Sequence, residues 1–312
     1  MVVEDLTLLS DDANYRDTLQ TYLKYMEQLP PQKLWMKEEL GPRIAKLFEA
    51  KKEIRVLAVG TGTGEVDVDF LAEITKRGRE VHGEDYSVVY QVVEPNPESV
   101  EYFKGVVTKD DNLSKVTFQW FTGFFDPFCE EFKKTASKDT RFDFAHYVRC
   151  TYHIDSVSAL QVTYEHLLRK NGVVAVVGEN ENAFWPRMMP FLAKHEMKHE
   201  CFTCSGPVSD AYFLPGWKKQ AETNGWKFDV WIKKYNFNIT LMYDPESKPG
   251  NYLIDFALHG KNCRQTISKV VLDDFFELLN AHSHEEEVEV EGVKEKRRHY
   301  PCELGAIMIT KE

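Results

Sequence analysis

No stretch of the chain approaches the roughly 20 consecutive apolar residues that a membrane-crossing helix needs, so no spanning segment is expected. The opening MVVEDLTLLSDD has neither a basic start nor a continuous apolar segment. That argues against a secretory leader and makes the cytoplasm the expected compartment. Cysteine is sparse, six scattered over 312 residues, which excludes the disulfide framework of a small secreted domain. A positive surplus is missing as well: with a formal net charge of −11, nucleic acid is not an expected partner, because phosphate backbones call for basic patches. Internal repeats and low-complexity tracts are absent. What remains is a globular composition, 43% hydrophobic and 29% charged. The length suffices for one large domain, or one carrying an inserted cap.

The chemistry-bearing stretch is IRVLAVGTGTGE, Ile54–Glu65. Ile54, Val56, Leu57, Ala58 and Val59 have the length and branched content of a strand buried on both faces. The run breaks into Gly60-Thr61-Gly62-Thr63-Gly64, where residues without a Cβ let backbone approach a ligand and take positive φ. A helix beginning near Glu65 would point its first N–H groups into the same crevice. A second apolar run, Val92-Val93, ends in Glu94, a carboxylate placed to accept hydrogen bonds from ribose hydroxyls. The plain alternative is a tight strand–helix turn with no ligand.

Three nucleoside cofactors compete for such a crevice. A triphosphate-binding loop needs Lys then Ser or Thr after the glycines, whereas Gly64 is followed by Glu65, Val66 and Asp67. A dinucleotide fold wants G-x-G-x-x-G with an acid roughly 20 residues on. Here the pattern is G-x-G-x-G, and Glu94 lies 30 residues past Gly64. Glu65, Asp67 and Asp69 beside the loop would repel a pyrophosphate. S-adenosylmethionine carries a sulfonium cation and no phosphate, so it is the favoured cofactor.

Along the chain, Leu9–Leu29 carries a helical apolar face, capped by Asp11 and Asp12 and ended by Pro30-Pro31. A second helix is expected over Lys33–Ala50. The first crossover helix is placed at Val66–Thr75, with an exposed loop from Lys76 to Tyr86. Strands follow at Val88–Val93, Val116–Phe121, Phe142–Tyr147 and Val173–Val177. Between them lie helices at Glu98–Val106 and at Leu160–Leu168, the latter closed by Lys170-Asn171-Gly172. Beyond, helices are expected at Phe184–Glu200, Pro215–Asn224 and Val270–His282. Strands are expected at Trp226–Tyr235, Phe237–Met242 and Leu304–Ile309, with a charged hairpin or loop at His284–Arg298. Strand alternating with helix argues an α/β doubly wound, mostly parallel, seven-stranded sheet. The cofactor-binding core falls at 50–180, with 1–49 and 181–312 forming a smaller helical, substrate-binding region of the same unit.

Taken together, LLSDDANY (Leu8–Tyr15), IRVLAVGTGTGEVD (Ile54–Asp67), VVEP (Val92–Pro95), FDFAHYV (Phe142–Val148) and LGAIMI (Leu304–Ile309) resemble the histamine N-methyltransferase family of class I methyltransferases over nearly the whole length. The resemblance implies a monomer that transfers a methyl group from S-adenosylmethionine to an imidazole nitrogen of a small amine. It implies cofactor contacts at Gly60, Glu94, Ser99 and Val148, to which the glycine turn itself adds Gly62 and Gly64. It also places substrate walls at Tyr15, Tyr152, Phe184 (with Trp185 beside it) and Phe256. Departures are informative: the family's substrate-gripping glutamate falls on Gln28, next to Glu27, its pocket glutamine on Arg149, and one aromatic wall on Leu19. Its C-terminal asparagine falls near Cys302 and its pocket cysteine near Ser209. Losing a buried carboxylate removes an ammonium's counter-ion, and a guanidinium repels a cation and grips a carboxylate. The expected acceptor is therefore a carboxylate-bearing imidazole or amine, such as a histidine derivative or dipeptide. The alternatives are histamine itself, or a cofactor-binding protein without turnover. Gln28, Arg149, His153 and Cys302 are the candidates nearest the chemistry, with His153 or Glu27 as a base and Gln28 able only to orient.

His195-Glu196-Met197-Lys198-His199 matches H-E-x-x-H, and Cys201-x-x-Cys204 follows. On one helix the histidines would share a face and could bind zinc. The motif is short enough to arise by chance and lies in a crossover segment, so no metal is expected.

Overall fold

The computed structural model describes residues 12–135, 137, 140–197, 212–290 and 292–312. In chain order its elements are α1 (Asp12–Tyr25), α2 (Leu29–Trp35), α3 (Gly41–Ala50), β1 (Glu53–Val59), α4 (Glu65–His82), β2 (Ser87–Glu94) and α5 (Pro97–Val107). Next come β3 (Val116–Thr122), α6 (Phe125–Thr135), β4 (Phe142–Val148), α7 (Ser156–Val162) and β5 (Leu168–Glu179). The remainder are α8 (Phe184–Lys194), α9 (Leu214–Thr223), β6 (Lys227–Asn238), α10 (Lys248–Leu258), α11 (Cys263–Thr266), α12 (Lys269–His282), β7 (His284–Val290) and β8 (Val293–Thr310). The described residues within Gln32–Gly178, Ser209–Ile232 and Gly305–Glu312 form one compact unit; those within Met1–Pro31, Glu179–Val208 and Lys233–Leu304 form another.

The first unit contains β1 to β5 of a sheet whose strand order is β3-β2-β1-β4-β5-β8-β6, with β7 hydrogen-bonded to β8 as the eighth strand. The pairs β1–β2, β1–β4, β2–β3 and β4–β5 are parallel. The chain winds outward from β1 to β3 and then returns to its other side, so β1 and β4 flank the point where strand order reverses. In open α/β sheets, ligands bind at the strand C-termini of such a point. On one face Leu57, Tyr147, Val176 and Ile307 pack with Phe125, Phe128, Leu160 and Trp217 in a buried cluster. The second unit has its own apolar centre. Tyr22 of α1 meets Phe237 at 5.3 Å and Phe256 at 4.4 Å between ring centroids, and Phe184 meets Phe237 at 5.2 Å.

Several elements differ from the sequence expectation, each for a local reason. The polar stretch after Thr75 is not a loop: α4 continues to His82 because Lys76, Arg77 and Glu80 occupy its solvent side. There Arg77 pairs with Glu73 at 2.6 Å and Glu80 at 2.9 Å. Gly83, at φ 62°, stops it. Pro30-Pro31 does not end the first helix, which stops at Tyr25; the prolines sit in the first turn of α2, where no N–H is needed. The helix expected over Lys33–Ala50 is divided by a π-helical turn at Met36–Leu40, with Gly41-Pro42 opening α3. The helix expected at Leu160–Leu168 starts earlier, at Ser156, where the Asp155 side chain accepts from the Ser158 N–H. It passes through a π turn to Leu167, and the turn meant to close it lies inside β5, with Asn171 at φ 64°. The two strands expected between Trp226 and Met242 are one, β6, followed by a 3-10 turn. The charge run is the β7–β8 hairpin, held in register by facing charges such as Glu285 opposite Arg298 and Glu287 opposite Lys296. α10 and α6 were not anticipated. Asp11 lies outside the described residues.

Candidate active site

β1, β2 and β4 end in register. Val59 pairs with Val93 on one side and with Tyr147 on the other, so the residues that follow, Gly60, Glu94 and Val148, stand in one row at the strand tips. Sequence reasoning assigned all three to the cofactor, and parallel pairing brings them together.

The turn between β1 and α4 needs its glycines for different reasons. Gly60, Gly62 and Gly64 have φ of 66°, 53° and 80°, a region that side chains other than glycine's seldom adopt. A Cβ on Gly60 would lie 2.5 Å from Cys150 Cβ, and one on Gly64 would lie 2.1 Å from the Phe103 ring. A Cβ on Gly62 would meet nothing within 4 Å. Two glycines thus let neighbouring chain pack against the turn, and the middle one leaves its approach open.

Glu94 is buried, and each of its carboxylate oxygens accepts a backbone hydrogen bond. Oε2 takes the Gly62 N–H at 2.9 Å and Oε1 the Asn96 N–H at 3.0 Å. The side chain therefore locks the glycine turn to the β2–α5 loop. A carboxylate has about four lone-pair sites, so both oxygens retain capacity for hydroxyl donors. The Thr61 hydroxyl is buried with no hydrogen-bond partner among the described residues. An orphan hydroxyl, an open glycine approach and a fixed carboxylate together fit the sugar and backbone-facing parts of an adenosyl group. Ser99 is half-buried on α5, with its N–H given to the Asn96 side chain.

The acids near the turn act differently from the sequence expectation. Glu65 is exposed and Asp69 pairs with Lys33 at 3.1 Å. Asp67 points inward, where Tyr90 donates to its Oδ1 at 2.7 Å, and burial lifts its carboxyl to about 7. Fewer formal charges face the turn than the sequence count suggests. The missed residues are Asp67, Tyr90 and His146; the one sequence signal was that Asp67 falls on the apolar stripe Phe70, Leu71, Ile74.

Arg149 follows Val148 with φ 52°, an uncommon conformation for a side-chain-bearing residue and a pointer toward function. Its N–H is held by the Val177 carbonyl at 2.9 Å, and its guanidinium donates to the Gln32 side chain. Tyr152 and His153 lie on the next turn, ring centroids 4.5 Å apart, with His153 exposed.

The second unit holds the other named residues. Tyr15 lies 6.2 Å from Phe256, and Phe256 lies 5.8 Å from Trp185. Leu19 is half-buried and Gln28 is buried. Cys302 is buried with its thiol pushed far up by burial, so it offers a neutral S–H and no base.

The helical zinc geometry is absent where described. α8 ends at Lys194, His195 turns to Asp274 at 3.0 Å, and Glu196 has φ 53°. His199, Cys201, Cys204 and Ser209 lie outside the described residues. Among the described residues no group of His, Cys, Asp and Glu is placed to hold a metal, and no helix is long and apolar enough to cross a membrane.

The family model described as Methyltransferase domain matches residues 33–205, more than half of the chain. The chain is similar to Histamine N-methyltransferase B of Xenopus laevis, 25% identical over 255 residues covering 80% of this chain and 81% of that protein. It is similar to Histamine N-methyltransferase of Cavia porcellus, 25% identical over 179 residues covering 57% of this chain and 59% of that protein. Among solved structures, the YcgJ protein from Bacillus subtilis superposes with a TM-score of 0.47 at 15% identity, covering 86% of this chain and 98% of that one.

Proposed function

The chain belongs to the methyltransferase domain family, and from that premise we propose that it transfers a methyl group from S-adenosylmethionine to a nitrogen of a small imidazole or amine. The observation carrying the cofactor half is the row of Gly60, Glu94 and Val148 at the switch point, with Gly62 open in front of it. When bound, the cofactor supplies an activated methyl on a sulfonium, and the thioether is the leaving group. The protein's task is to hold a neutral nitrogen lone pair about 3 Å from that carbon, in line with the breaking bond. Glu94 would hold the ribose hydroxyls, and Gly62 and Thr61 would admit the cofactor's methionine chain. A protonated acceptor cannot attack, so the acceptor binds neutral or passes its proton to a base. His153 and Glu27 are the residues proposed for that role.

The likeness to histamine N-methyltransferases supports nitrogen as the acceptor atom, and the substitutions at Gln28 and Arg149 support a different amine from histamine. The Arg149 guanidinium follows Val148 in the chain and donates to the Gln32 side chain. A guanidinium in that position favours an acceptor bearing a carboxylate. Within the second unit Tyr15, Leu19, Phe184 and Phe256 are proposed substrate walls, with Gln28 orienting an N–H and Cys302 adding a weakly polar surface; within the first unit Tyr152 is proposed as a wall. Radiolabelled methyl transfer to histamine and to carboxylated imidazoles, for wild type and Arg149→Gln, tests the reading. The expected result is preference for the carboxylated acceptors, shifted toward histamine by at least tenfold in the variant. An unchanged preference overturns the substrate class.

A further inference from the structure

Three polar side chains meet in the apolar layer between α4 and the sheet. Asp67, Tyr90 and His146 are at most 4% exposed. Tyr90 donates to Asp67 Oδ1 at 2.7 Å, His146 Nε2 lies 2.8 Å from the same Tyr90 oxygen, and Nε2 is 3.6 Å from Asp67 Oδ1. The His146 ring stacks on Phe70, centroids 4.3 Å apart and planes within 10°. Its Nδ1 has no hydrogen-bond partner among the described residues. A buried N–H without a partner costs more than a bare acceptor, so the ring proton belongs on Nε2. The chain of donors then runs from His146 to Tyr90 to Asp67 and ends on an acceptor. Burial drives His146 down to about 3, so the ring is neutral, and no ion pair with Asp67 forms.

What makes the trio more than a satisfied core cluster is where each member sits. Asp67 is three residues after Gly64, Tyr90 four before Glu94, and His146 two before Val148. We propose that Asp67, Tyr90 and His146 are positioning residues for the cofactor, a buried hydrogen-bonded brace that sets the glycine turn, Glu94 and the β4 tip at the spacing an adenosyl ligand requires. The inference rests on the cofactor reading above. The brace and the site are in electrostatic touch: Glu94's charge adds to the burial that raises Asp67, and both carboxylates raise the Cys150 thiol behind Gly60. Parallel pairing alone fixes strand register. It does not fix the height of α4 over the strand tips; Asp67 is the α4 side chain hydrogen-bonded to β2, beside the packing of Phe70 on Phe144 and His146.

The test uses the full chain and S-adenosylhomocysteine as probe, with affinity measured by titration calorimetry and folding by thermal unfolding. Tyr90→Phe removes both hydrogen bonds at no cost in shape and is expected to weaken binding at least tenfold. Asp67→Asn keeps an oxygen for the Tyr90 proton and is expected to stay within threefold of wild type, a rescue that a purely apolar role would not produce. Val174→Ala, on β5 away from the turn, provides a control of comparable loss in Tm and is expected to bind within threefold of wild type. Tyr90→Phe binding within threefold of wild type overturns the brace, as does a Val174→Ala loss equal to that of Tyr90→Phe. An Asp67→Asn loss as large as that of Tyr90→Phe overturns the acceptor role. Wild-type protein that binds no S-adenosylhomocysteine overturns the cofactor reading and the brace with it.

Discussion

Adding one methyl group at each glycine of the β1–α4 turn separates what the turn does for the fold from what it does for the ligand. At Gly62 the new Cβ meets nothing within 4 Å, so the only folding cost is the left-handed backbone at φ 53°, about 1–2 kcal/mol for alanine. The smaller conformational entropy of the unfolded variant offsets part of this. With an unfolding entropy of about 2 cal/mol/K per residue, Tm should fall by about 2 °C. At Gly64 the same strain applies, and the Cβ also lands 2.1 Å from the ring of fully buried Phe103. Overpacking of that kind adds about 1–3 kcal/mol, so the total is about 2–5 kcal/mol and the fall in Tm about 3–8 °C. Affinity should rank the other way. Gly62→Ala places a methyl where the cofactor must approach and should weaken S-adenosylhomocysteine at least tenfold, about 1.4 kcal/mol, while remaining folded. Thermal unfolding and calorimetric titration of both variants read the two effects. A Gly62→Ala protein that binds as wild type would refute the proposed ligand path, and a Gly64→Ala protein as stable as Gly62→Ala would refute the packing.

Two further outcomes follow from buried groups. Asp67, raised by burial from 3.8 to about 7, contributes stability that is complete below about pH 4 and lost as pH climbs to 7. His146, lowered by burial from 6.5 to about 3, contributes stability complete above about 6.5 and lost as pH falls to 3. The slopes oppose each other and nearly cancel between pH 4 and 6.5, each on the order of 4 kcal/mol by linkage. Asp67→Asn should therefore leave a protein whose stability rises steeply with pH across that window in denaturant titrations, and a flat profile would contradict the neutral assignment of His146. In the second unit, a Cβ on Gly250 would lie 1.8 Å from the Leu241 carbonyl oxygen. Backbone cannot yield as a side chain does, so Gly250→Ala should cost at least about 3 kcal/mol; a Tm within 1 °C of wild type would contradict the placement of α10.

The parts of the fold legible from sequence were those whose signal is local. β1, β2 and β4 are rich in apolar and aromatic residues, and the turn carries its own glycines, so the cofactor row followed once parallel pairing was assumed. The misreadings came where local polarity competes with a tertiary role. Lys76–His82 is polar because it is the outer face of a helix, and Asn171 marks a bend within β5. Asp67 looked like part of a repelling acidic rim, whereas its stripe position turns it into the core, where Tyr90 and His146, 23 and 79 residues further on in sequence, receive it. No single-chain spacing rule links those three. Arg149's left-handed backbone was equally invisible, because nothing in Val148-Arg149-Cys150 demands positive φ until the neighbouring strands fix the turn.

The most direct measurement is calorimetric titration of wild type and Glu94→Ala with S-adenosylhomocysteine. Two hydrogen bonds from ribose hydroxyls to a carboxylate are each worth about 1.5–3 kcal/mol, so the variant should bind at least about 100-fold more weakly than a wild type that saturates at one ligand per chain. Equal affinity in the two proteins, or no binding by wild type, would contradict a nucleoside cofactor held at this row of strand tips.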